Sequence, residues 1–305
     1  MRVLITGSNG LLGQKLTSLL DHEADVTLFA TGRGKSRAGQ GRFTYNALDV
    51  TDEKEVNALF DQLRPDVVIH TAAMTQVDQC ETAKEACWLN NVTAVRIIGQ
   101  ACERIQAHLV HLSTDFIFDG SHGPLDESAT PGPLSYYGES KLASEVEVQR
   151  LRTPWTIIRT VLVYGVTPDL SRSNIVLWVK KSLEKGEAIR VVNDQWRTPT
   201  LAEDLAIGCW LAAKKRATGI YHVSGAEMMT PYDIALQTAD FFGLNKGLVR
   251  ETNSNEFRQP ARRPLKTGFI IEKAKRELGY QPRTFREGLA VIAGQLAAVN
   301  PPKDQ

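Results

Sequence analysis

Apolar residues fall in short, nearly continuous runs along the first half of the chain, and each run gives way to a stretch with helical spacing. The runs cover residues 3–6, 26–30, 67–71, 109–113 and 156–159. Rich in β-branched side chains and lacking polar alternation, they read as parallel strands covered on both faces. Residues 11–20 repeat leucine at helical intervals, and Asp52 to Glu55 opens a second helix in the form of a capping box. Residues 82–104 and 136–151 supply two more helices. Such alternation predicts an α/β fold, a doubly wound parallel sheet with ligands bound beyond the carboxyl ends of its strands.

After about Thr160 the rhythm loosens. Serine, asparagine and proline punctuate residues 167–174, and a second proline-bearing loop runs over 194–200. Short pieces follow at 220–223, 231–242 and 271–278, then a polar tail, Pro301-Pro302-Lys303-Asp304-Gln305. The expected division is a sheet domain over residues 1–165. Residues 166–305 mainly form a smaller α/β lobe capping the cleft, with some elements crossing back to the sheet.

Composition narrows the function classes. At 305 residues and a formal net charge of +1, the chain has room for a sizeable core and no field drawing it to nucleic acid or membrane. No apolar stretch nears the roughly 20 residues that span a bilayer. The four cysteines (Cys80, Cys87, Cys102, Cys209) form no CxxC pair, and neither they nor the six scattered histidines have metal-ligand spacing. They read as buried thiols in a reducing compartment, and a cytoplasmic protein without a metal is expected.

Three features carry chemistry. The first is Thr6-Gly7-Ser8-Asn9-Gly10-Leu11-Leu12-Gly13, between a strand and a helix. There Gly7 permits the turn, Gly10 lets a pyrophosphate approach, and Gly13 packs helix against strand; Asn9, Leu11 and Leu12 fill out the cofactor loop. Glycines also make plain turns, but the position gives the motif its weight. The second is Tyr137 and Lys141, four residues apart on a predicted helix; the ammonium is expected to lower the phenol's pKa. The third is Ser113-Thr114, whose hydroxyls close a predicted strand at the sheet's carboxyl edge. After the second strand, where an acidic residue would hold the ribose of NAD, the chain gives Gly32-Arg33-Gly34-Lys35-Ser36-Arg37. Arg33 suits a 2′-phosphate, although a basic loop also serves solubility. NADP(H) is favoured and NAD(H) stays open.

In that order the features resemble the extended short-chain dehydrogenase/reductase family. Residues 112–120, LSTDFIFDG, and 136–142, YYGESKL, resemble its dTDP-4-dehydrorhamnose reductase-like members. So do DQWRTPT at 194–200 and Arg262-Arg263-Pro264. The resemblance implies a Rossmann-type fold and NAD(P)H-dependent reduction of a keto group on a nucleotide-linked sugar. Thr114 would polarise the carbonyl, Tyr137 donate the proton, and Lys141 hold the nicotinamide ribose while tuning the tyrosine. Asp49 and Val50 would flank the adenine, Ala72 and Ala73 the ribose side, and Asn90 would support the active-site helix. Thr75, Asp115, Phe116, Leu162, Asn174 and Trp196 would face the sugar. Of the tryptophans placed in the capping lobe, Trp178, Trp196 and Trp210, packing is the main role.

Two positions depart from the reductases: Phe116 stands where they usually carry tyrosine, and Leu162 where they often carry tryptophan. Without a carboxylate at 116, a sugar-nucleotide dehydratase loses its base. Two other readings stay open: a non-catalytic subunit resembling the regulatory subunit of methionine adenosyltransferase, and a sugar-nucleotide epimerase. Relatives in the broad family pair through helices, so a homodimer is open too.

Overall fold

The computed structural model describes residues 1–169, 173–256 and 259–299. The polar tail at 301–305 and part of the 167–174 loop lie outside them. In chain order the first half reads β1 (Arg2–Thr6), α1 (Leu11–Leu20), β2 (Thr27–Gly32), β3 (Thr44–Ala47), α2 (Glu53–Leu63) and β4 (Val67–His70). It continues through α3 (Val77–Thr82), α4 (Lys84–Trp88), a π-helical turn (Leu89–Thr93), α5 (Ala94–Ile105), β5 (His108–Thr114), α6 (Tyr136–Gln149) and β6 (Trp155–Thr160). Then come β7 (Val163–Tyr164), α7 (Ile175–Glu184), β8 (Ile189–Val192), β9 (Thr200–Leu201), α8 (Ala202–Lys214), β10 (Gly219–His222), α9 (Pro231–Phe241), β11 (Val249–Thr252) and α10 (Phe285–Val299).

Seven parallel strands form the main sheet in the order β10-β6-β5-β4-β1-β2-β3. The order reverses between β1 and β4, which opens a crevice at their carboxyl ends. Strand alternation feeds two cores. Val3 and Ile5 of β1 join Leu16 of α1 and Leu205 of α8 on one face. Leu4 joins Phe60 of α2 and Ile98 of α5 on the other. A smaller unit pairs β8 with β11 and packs Val191 against Val179 of α7 and Ala235 of α9.

Four expectations need correction. The strand β3 was missed because Thr-Tyr-Asn-Ala on a half-exposed edge carries no apolar run. The single helix expected over 82–104 is broken into α4, the π turn and α5, preceded by α3. Only half the capping box forms: Asp52 accepts from the amides of Lys54 and Glu55, while the Glu55 carboxylate reaches the Asp49 amide. Trp210, expected in the capping lobe, lies on α8 in the sheet's own core, to which residues 202–222 return.

Candidate active site

The glycine loop closes the end of β1. Gly7 has φ = 72°, and a Cβ there would lie 2.6 Å from the Ala72 amide nitrogen. A Cβ on Gly13 would lie 2.3 Å from the Gly7 carbonyl oxygen. Loop, α1 and the backbone after β4 thus touch with no space for side chains. Helix α1 begins at Gly10 without a side-chain cap or an acidic residue in its first turn, so its amides and dipole face the crevice. Leu11 and Leu12 lie half-buried in that first turn and Ala72 beside it.

Asn9 holds the basic loop rather than facing outward. Its amide donates to the carbonyls of Arg33 and Lys35 and to the Tyr45 hydroxyl, and its oxygen accepts from the Arg37 amide at 2.8 Å. Arg33 lies across the crevice edge, donating to Asn90 Oδ1 at 2.8 Å and pairing with Asp49 at 3.1 Å. Burial works to raise the Asp49 pKa, but bonds from Thr51 and Arg33 together hold it below the ordinary value. Both partners of this pair are about half exposed, so it is weak and open to competition. Val50 is buried behind it.

Thr114 ends β5, and Tyr137 enters from the first turn of α6, which Ser135 caps by accepting from the Gly138 amide. The Thr114 hydroxyl lies near enough to the Tyr137 phenol to favour its ionised form. Close packing fixes the approach: a Cβ on Gly138 would lie 2.2 Å from the Phe116 carbonyl oxygen. Burial pushes the phenol well above its usual value, against the effect of the Thr114 hydroxyl. The expectation that Lys141 lowers it is therefore corrected. The ammonium donates instead to the Leu112 carbonyl at 2.7 Å and stands 3.4 Å from His111 Nε2, and burial pushes it down to about 8.

The residue supporting α6 is Asn91, not Asn90. Its buried amide accepts from the Met74 amide and donates to the Met74 carbonyl and to Ser140 Oγ, at 2.8, 3.0 and 3.0 Å. The π turn gives the physical reason, since it shifts the helical register so that the second asparagine points inward and Asn90 toward Arg33. Among the described residues no group of three His, Cys, Asp or Glu side chains is placed to hold a metal. All four cysteines are buried and unpaired.

A family profile described as RmlD substrate binding domain matches residues 1–297. The chain belongs to this family. The dTDP-4-keto-6-deoxy-D-glucose reductase of Streptomyces niveus is 33% identical over 283 residues, 92% of this chain and 92% of that protein. Methionine adenosyltransferase 2 subunit beta of Xenopus laevis is 33% identical over 254 residues, 82% of this chain and 74% of that one. The structure of dTDP-4-dehydrorhamnose reductase from Bacillus anthracis in complex with NADP superposes with a TM-score of 0.84 at 30% identity, covering 96% of this chain and 99% of that one.

In this RmlD-family chain, the positions expected to face a sugar divide. Phe116 stands edge-on to Tyr137, ring centroids 5.7 Å apart. Thr75 and Trp196 are exposed, and Leu162 is half-buried with φ = 37°. Ala73, expected on the ribose side, is exposed. Asp115 and Asn174 turn inward, which corrects the expectation for their side chains. Asn174 caps α7 and donates to the Gly165 carbonyl. Asp115 is buried, accepting from Thr114 at 3.1 Å and Thr267 at 2.5 Å and facing Arg197 at 3.4 Å. The pairing of Arg197 with Asp115 was missed, although the 194–200 and 262–264 motifs pointed to the segments involved. So was the stack of His70 on His111, at 5.7 Å between rings, beside Lys141.

Proposed function

We propose that this chain reduces the keto group of a nucleotide-linked sugar, a dTDP-4-dehydrorhamnose-like substrate, with NADP(H) as the favoured cofactor and NAD(H) also usable. The observation that carries this reading is the Thr114 hydroxyl beside the Tyr137 phenol at the carboxyl edge of β5, with Lys141 one turn further along the same helix. The glycine loop fits a dinucleotide: its cradle excludes side chains, and the start of α1 offers unpaired amides to a pyrophosphate. Arg33 is the group to hold a 2′-phosphate, since a doubly charged phosphate outcompetes an exposed carboxylate pair. Bound NADPH supplies the hydride. Tyr137 then gives its proton to the former carbonyl oxygen, which Thr114 also reaches, and Lys141 holds the ribose. Unpaired buried thiols suit a cytoplasmic setting.

The test is oxidation of NADPH and NADH followed at the nicotinamide absorbance, with and without freshly made dTDP-4-dehydrorhamnose. Tyr137→Phe is expected to lower turnover by at least about a hundredfold, the scale of a lost general acid, with cofactor affinity nearly intact. Retained turnover in that variant rejects the assignment. A second reading is favoured by the 33% identity to the methionine adenosyltransferase subunit: a dinucleotide-binding regulatory protein. It predicts NADPH binding without oxidation by any keto-sugar nucleotide.

A further inference from the structure

We propose that Arg197 is a positioning residue that, through Asp115, sets where the single hydroxyl proton of Thr114 points. The inference rests on the reductase reading above and extends it to a part of the chain that never touches the reacting atoms.

A threonine hydroxyl has one proton and two lone pairs. Thr114 Oγ1 donates to Asp115 Oδ1 at 3.1 Å and accepts from the Phe116 amide at 3.3 Å, beside the Tyr137 phenol. Its proton is therefore directed to Asp115, away from the reaction. To bond a substrate oxygen, or the phenolate left when Tyr137 gives up its proton, the hydroxyl must turn and release Asp115.

A buried carboxylate that loses a donor incurs a large cost unless other donors remain. Here they do. Asp115 Oδ2 accepts from Thr267 Oγ1 at 2.5 Å and faces Arg197 Nε at 3.4 Å, with both ion-pair side chains almost fully buried. Arg197 is itself fixed by the carbonyls of Trp196, Pro264 and Leu265. Its guanidinium also lies 6.0 Å from the centre of the Phe116 ring. The segment behind it is tied to α3 by Arg263, which forks onto Asp78 at 3.1 and 2.8 Å. Residues 196–197 and 261–267 thus brace the carboxylate next to the catalytic threonine. With that brace, the Thr114 proton swings between Asp115 at rest and a reacting oxygen during turnover. No covalent step is added: the proton Tyr137 loses is the one the substrate gains.

The groups facing Asp115 are Arg197, Thr267 and Thr114, with Tyr137 beyond the threonine and Arg263 behind the arginine. Weakening the brace raises the carboxyl's pKa, and once protonated it holds the Thr114 proton more weakly. The variants are Arg197→Lys, Arg197→Met and Thr267→Val, the last a near-isostere that removes only the donor. Against wild type on a keto-sugar nucleotide, Arg197→Met is expected to lose ten- to a hundredfold in kcat, the cost of misplacing a catalytic group, with KM for NADPH little changed. Arg197→Lys should recover part of it. In Arg197→Met and Thr267→Val, kcat should fall as the pH is lowered, at a pH where wild type stays flat, and adding Asp115→Asn should abolish that acid limb. Arg197→Met is the variant most exposed to misfolding, and Thr267→Val gives the same reading without removing a charge. Folded Arg197→Lys and Thr267→Val proteins with wild-type kcat and pH profile overturn the proposal. Methyl NMR of labelled threonine reads the Thr114 environment without turnover. If wild type reduces no keto-sugar, the reductase reading falls by itself, and an unmoved Thr114 methyl in both variants rejects the positioning role separately.

Discussion

Lys141 keeps an ammonium where burial works against it. Its folded pKa, about 8, lies below the ordinary 10.5 of a lysine, so the charge is complete well below pH 8 and is lost as the pH rises through it. Between those two values the unfolded chain holds more protons, and Lys141's contribution to stability rises with pH over that window. Cofactor binding should run the other way. NADPH affinity, read by nucleotide fluorescence, is expected to weaken as the pH passes about 8. Lys141→Met should bind about tenfold more weakly with no such step, in line with one lost charge-assisted hydrogen bond; a step that survives in the variant places the titration elsewhere. Spacing in the sequence placed Tyr137 and Lys141 on one helix, and the chain folds that way. Spacing could not show that the ammonium bends to the Leu112 carbonyl, because that depends on which strand lies beneath the helix. Asn90 and Asn91 make the same point: neighbours of one residue type are indistinguishable until the register of the turn carrying them is known.

Among the elements, α1 lies in tight backbone contact with its neighbours. The Gly13 position leaves no volume for even a methyl group, since the nearest obstacle is the carbonyl oxygen of Gly7 rather than a side chain that could swing aside. Gly13→Ala should therefore push α1 off β1, costing about 1–3 kcal/mol, the usual range for overpacking. A thermal melt should show the loss, and NADPH titration should show binding weakened beyond what stability alone explains. A variant that melts and binds like wild type would mean the loop gives way more easily than its contacts imply. The strongest apolar runs, those of β1, β4 and β5, were legible because each is buried on both faces. The edge strand β3 and the π turn were not, because their positions are set by what they dock against, not by their own periodicity.

Across the whole molecule, the buried imidazoles link the fold to pH. Burial pushes His70 and His222 down to about 3, His108 to about 4, and His111 well below its ordinary value. All four are neutral in the folded protein at pH 7, while the unfolded chain takes up protons below about 6.5. Their contribution is thus full above that value and is lost as the pH falls toward 4 and then 3. The urea midpoint should drop steeply between pH 7 and pH 5, with unfolding taking up roughly three to four protons from these groups at the lower end. A midpoint flat over that range contradicts neutral burial. The sheet order has a further consequence. Strand β10 covers the open side of β6, yet about sixty residues separate Thr160 from Gly219 along the chain. At synthesis rates of roughly 5–20 residues per second, the nascent protein carries that unpaired edge for about 3–12 s. Until translation passes His222 the backbone of β6 is a template for any other extended chain in reach, so the pace of the ribosome over this stretch sets how long the growing protein is exposed to mispairing.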